Sequence, residues 1–91
     1  MPTVEIHIYA GLRMSLGWKE KNIEIPGCTS IAGLLKEAGL WDALNSYIEK
    51  GYNPIILVNG SNIFLREGLE ARVCGGERID VFPPSAGGLP P

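Results

Sequence analysis

Arg78-Ile79-Asp80-Val81-Phe82-Pro83-Pro84 decides the fold. Its alternation sends Ile79 and Val81 to one side and Asp80 and Phe82 to the other, the period of a half-buried strand. Pro83-Pro84 then stops the ladder, because proline donates no backbone hydrogen bond. A matching strand opens the chain. Between Thr3 and Tyr9, Val4, Ile6 and Ile8 face one way and Glu5, His7 and Tyr9 the other. If these strands are neighbours they run parallel, since a helix and several strands separate them. Gly11 to Gly17 breaks the alternation, and Asn22-Ile23-Glu24-Ile25 resumes it before Pro26-Gly27, predicting an antiparallel partner across a loop of about ten residues.

Thr29 or Ser30 supplies a helix N-cap, and Ile31, Leu34, Leu35 and Ala38 share one helical face that Gly39 closes. Trp41, Leu44, Tyr47 and Ile48 predict a second, shorter helical turn ending at Gly51. Pro54 to Val58 is an apolar run stopped by Asn59-Gly60, a strong turn dipeptide, and Ile63 to Leu65 predicts a brief return strand. Val73 begins the last segment, and Gly75-Gly76 turns it into the final strand. This order predicts an α+β protein of the β-grasp plan, a mixed sheet of four to five strands packed on one main helix. The domain is expected over residues 1–84, with a flexible tail at 85–91.

At 91 residues, 45% hydrophobic and 20% charged, the chain suits one small globular domain. Eight Lys+Arg against ten Asp+Glu, a net charge of -2, argue against a nucleic-acid partner. No signal peptide or long apolar run is present, so a cytoplasmic protein without a membrane partner is expected. Catalytic constellations are missing from the chain. His7 is the only histidine, so a cage of histidines cannot be built; it reads as a partly exposed surface residue, and no metal site is expected. Two cysteines are too few for a disulfide scaffold. Cys28 reads as a small semi-buried turn residue and Cys74 as structural or incidental. Glu67 with Glu70, and Glu77 with Asp80, read as solvated face. Gly75-Gly76 lacks the Lys-Ser/Thr of a phosphate loop.

The tail is left to carry chemistry. Pro83-Pro84 favours an extended exit, and Gly87 and Gly88, lacking Cβ, can enter a slot closed to other residues. From Pro83 to Gly88 the chain reaches roughly 20 Å when extended. Val73-Cys-Gly-Gly-Glu-Arg-Ile-Asp-Val-Phe-Pro-Pro-Ser-Ala-Gly-Gly88 resembles the closing signature of the MoaD/ThiS family of ubiquitin-like sulfur carriers, in particular molybdopterin-synthase small subunits. Val4 to Tyr9, Thr29 to Leu40 and Ile56-Leu57-Val58-Asn59-Gly60 look like earlier parts of the same pattern. Departures are the less acidic turn at Gly75 and Glu77, Ser85 at a usually aliphatic position, and Leu89-Pro90-Pro91 beyond the diglycine.

The resemblance implies a sulfur donor that is a cosubstrate and small subunit, with no catalytic residue of its own and no bound cofactor. A ubiquitin-activating-type enzyme would use ATP to adenylate Gly88, and sulfur would replace AMP to leave a thiocarboxylate. A larger molybdopterin-synthase-type subunit would receive the tail, recognising Gly87, Pro83 and Pro84. A peptidase is expected to remove Leu89 to Pro91, because the Gly88 carbonyl is otherwise tied up in an amide. With β-grasp strand order, Phe82, Tyr9 and Leu57 form an exposed apolar docking patch beside the tail exit, on the face that also carries Ile55. The alternatives are a ubiquitin-like protein modifier, a carrier for thiazole or another sulfur metabolite, and an interaction module with an inert tail.

Overall fold

The computed structural model describes residues 2–84. Strands β1 (Thr3–Ile8) and β2 (Glu20–Glu24) form an antiparallel pair, with a short helix α1 (Gly11–Leu16) between them. After β3 (Thr29–Ser30) come α2 (Ile31–Glu37) and α3 (Trp41–Glu49), then the hairpin of β4 (Ile55–Val58) and β5 (Ser61–Asn62). Two single-turn 3₁₀ segments lead to β6 (Arg72–Val73), and β7 (Arg78–Phe82) ends the sheet. The main sheet has the order β2-β1-β7-β4-β5, and β3 pairs with β6 apart from it. β7 lies parallel to β1, as expected of neighbouring terminal strands, and antiparallel to β4. The β-grasp plan read from the sequence is the observed one.

One apolar core sits between the sheet and the helices. Val4, Ile6 and Ile8 of β1, Ile56 of β4, and Ile79 and Val81 of β7 are buried against Leu12, Ile31, Leu34, Leu35, Ala38, Leu40 and Leu44. The Ser30 hydroxyl caps α2 by accepting from Gly33 N–H at 3.1 Å. At the other end Leu40 N–H donates to Leu35 O and Gly39 N–H to Lys36 O, with Gly39 at φ 78°, the paired bonds of a Schellman stop. Asn59 and Gly60 have φ of 48° and 85°, positive at both central positions as a two-residue hairpin requires.

Some local expectations fail. The segment Gly11–Leu16 is a helix and not loop, with Leu12 its only buried residue. The return strand is Ser61–Asn62, and Ile63–Leu65 winds into 3₁₀ because Asn62 Oδ1 accepts from Phe64 N–H at 2.9 Å. Helix α3, expected to be the shorter, spans nine residues and is longer than α2. Among the described residues no helix is long and apolar enough to cross a membrane.

The cysteines also differ from expectation. Both are exposed, and they form a disulfide with Cα atoms 4.0 Å apart. Register explains the pairing: Thr29 faces Val73 and Ser30 faces Arg72, so continuing the pair outward sets Cys28 against Cys74. Closing a loop across a sequence separation of 46 restricts the unfolded chain and contributes about 4 kcal/mol in the loop-entropy estimate. Reduction under native conditions, verified by thiol titration, is expected to lower the urea midpoint accordingly. An unchanged midpoint in the fully reduced protein would show that β3 and β6 hold without the bridge.

Candidate functional site

Strand register assembles the face of the sheet turned away from the helices. His7 pairs with Asp80 and Asp80 with Leu57, while Phe82 pairs with Ile55. Tyr9, just beyond β1, comes beside Phe82, and their rings stack with centroids 4.3 Å apart and planes 9° from parallel. The Arg13 guanidinium lies 4.9 Å from the Tyr9 ring centroid while its Nε donates to Ile8 O at 2.7 Å. Thus α1, absent from the sequence reading, supplies a cation that fixes the aromatic pair.

A polar network holds the same ring by its hydroxyl. Tyr9 Oη donates to Asp80 Oδ1 at 2.6 Å, and Arg78 Nη2 reaches both Tyr9 Oη and Asp80 Oδ1 at 3.2 Å. Partial burial works to raise the Asp80 pKa, but hydrogen bonds from Tyr9 and Arg78 outweigh it and hold the carboxyl below its usual range. Arg78 is shifted upward, chiefly by its hydrogen bond to Asp80. Asp80 is therefore not solvated face: its side chain is 15% exposed and committed. Glu77 also departs from expectation, since its carboxylate accepts from Cys74 N–H at 2.9 Å and Gly75 N–H at 2.7 Å, shaping the turn into β7.

The expected docking residues Tyr9, Leu57 and Phe82 do share one face, but all are half-buried rather than exposed. Stacking removes one side of each aromatic ring from solvent. Leu57 sits opposite Asp80, and Ile55 is the β4 residue opposite Phe82. Arg13, Arg78 and Asp80, which order the patch, were missed because alternation gives a residue's face but not its partner. Pro83 and Pro84 follow β7 directly and are half-buried. Gly87, Gly88 and the expected tail at 85–91 lie outside the described residues.

A ubiquitin-like β-grasp domain with an ordered aromatic pair beside its last strand is the class these features define. The ThiS family model matches residues 6–88, and the chain belongs to that family. It is similar to the solution structure of small archaeal modifier protein 1 from Methanosarcina acetivorans at 31% identity, covering 97% of this chain and 98% of that one, with a TM-score of 0.68. The Haloferax volcanii HVO 2177 protein is similar at 25% identity over 96% of this chain and 87% of that chain, with a TM-score of 0.73. A putative molybdopterin converting factor subunit 1 from Pyrococcus furiosus shares the fold at 24% identity, covering 93% and 100% of the chains, with a TM-score of 0.68. No curated protein sequence matches.

Because the folded Asp80 pKa is depressed, its contribution to stability is complete above the unfolded value of about 3.9 and is lost as pH falls through the lower folded value. Thermal melts of wild type and Asp80→Asn should differ by a constant amount above about pH 5 and converge in stronger acid. A gap independent of pH would show that the carboxylate's charge contributes nothing to the network.

Proposed function

We propose that this chain is a sulfur carrier for pterin-dithiolene synthesis, loaded at Gly88. The observation that carries the reading is the family match, which runs through residue 88 and so includes the diglycine. Adenylation by an ATP-using partner makes the Gly88 carboxyl carbon electrophilic, and the outer sulfur of a persulfide on a partner displaces AMP to give an acyl disulfide. A second thiol of that partner then attacks the S–S bond, which releases the sulfur on Gly88 and leaves a disulfide on the partner. The resulting thiocarboxylate is a soft nucleophile, stronger than a carboxylate for the reason that thiolate outperforms hydroxyl. Leu89 follows Gly88 in the sequence, so loading requires cleavage of the Gly88–Leu89 bond. The name of the Pyrococcus furiosus neighbour, a molybdopterin converting factor subunit 1, supports the pterin branch.

The docking face suits this role. Tyr9 and Phe82 present a pre-ordered aromatic surface directly before Pro83-Pro84, so a partner that binds it is placed beside the point where the chain leaves β7. The similarity to small archaeal modifier protein 1 favours a second reading, in which Gly88 is joined to a lysine amine. Isopeptide-linked conjugates in the host would support that reading, and a thiocarboxylate the first.

Two variants test the proposal. In a chain ending at residue 88, Gly87→Ala with Gly88→Ala should abolish adenylation and sulfur loading without changing the melting temperature, since a Cβ blocks a narrow slot. Loading at the wild-type level would contradict tail threading. Phe82→Ala should lose about 2 kcal/mol of stability with the stack and weaken partner binding by about 1–3 kcal/mol. Lower stability with unchanged binding would assign Phe82 to the core alone.

A further inference from the structure

The β1–β2 end of this sheet face carries a separate cluster. Glu5 and His7 lie two residues apart on β1, and Glu20 of β2 stands opposite His7. His7 Nε2 contacts Glu5 Oε2 and lies 3.8 Å from Glu20 Oε2, and the donor atoms of all three residues fall within 4.8 Å of one another. His7 is the fixed member, its side chain 15% exposed, while Glu5 and Glu20 are 47% and 58% exposed. Among the described residues neither carboxylate pairs with a lysine or arginine. A single imidazole, even protonated, offsets only one of the two negative charges. A divalent cation offsets both.

We propose that Glu5, His7 and Glu20 bind a divalent cation of the zinc class. One imidazole nitrogen and two carboxylate oxygens form a borderline donor set; Mg²⁺ and Ca²⁺ favour oxygen alone. Tetrahedral zinc with bonds near 2.0–2.1 Å places its donors about 3.3 Å apart. To meet this the His7–Glu20 separation must close by about half an ångström and the His7–Glu5 contact must open, and the two exposed glutamates can rotate to do both while His7 stays in place. Asp80, on the other side of His7, does not join, because its carboxylate is held by Tyr9 and Arg78. Three protein donors therefore leave a fourth position open to water or to a group on a docked partner. The sequence order hides the site, since Glu20 reaches His7 only through strand register.

The test uses the full chain without a histidine tag and with Cys28–Cys74 oxidised, so that no added imidazole or free thiol competes. Zinc titrated calorimetrically should bind one equivalent, and Co²⁺ should give the visible bands of a four-coordinate ion. Because His7 is the only histidine, its imidazole NMR signals report directly on binding, and zinc should shift them. His7→Gln and Glu20→Gln should each weaken binding by at least about tenfold. Glu24→Gln, on the same face of β2 but outside the cluster, should not change it. If His7→Gln does not fold, Glu20→Gln at the edge strand carries the comparison. Absence of binding, wild-type affinity in Glu20→Gln, or binding that leaves the His7 signals unmoved would overturn the proposal.

Discussion

The insertion of β7 between β1 and β4 is the constraint on which the rest of the structure depends. Without it the main sheet is two separate hairpins, β2-β1 and β4-β5, with no shared hydrogen bond. Isolated hairpins are marginal in water. With β7 in place, Ile79 and Val81 join Ile6, Ile8 and Ile56 in one buried layer that the helices cover. The turn before β7 is correspondingly tied down: Glu77 accepts from two of its amides, and Gly76 N–H donates to Thr3 O at 2.7 Å. A Cβ on Gly75, which has φ 124°, would come within 2.6 Å of Pro2 Cβ.

The same strand organises the candidate site. Its inward residues complete the core, and its outward residues Arg78, Asp80 and Phe82 hold Tyr9 by charge, hydrogen bond and stacking. Each contact crosses from β7 to a residue at the end of β1, so this aromatic face forms only when the two terminal strands pair. Pro83 and Pro84 continue directly from this strand. A functional terminus attached to the central strand has its point of departure set by the core, which favours delivery into a partner's slot over a tail hung from a fraying edge.

Much of this was legible in sequence because alternation reports burial directly. Val4, Ile6 and Ile8, like Ile79 and Val81, are apolar at period two, and each is buried. Asn59-Gly60 specifies its hairpin through backbone sterics alone. What stayed hidden depends on pairings between distant residues. Tyr9 and Asp80 are 71 residues apart and Cys28 and Cys74 are 46 apart; only strand register brings either pair together. Helix α1 is hidden for a different reason: it buries Leu12 alone, too little to leave a helical apolar period. The diglycine is legible only as composition and family pattern.

The intact mass of the chain isolated from its native host tests the central claim most directly. A carrier loaded at Gly88 predicts a pool ending at that residue, part of it with sulfur in place of one carboxylate oxygen. A chain that keeps Leu89 throughout, in cells where pterin cofactor synthesis runs normally, would contradict it.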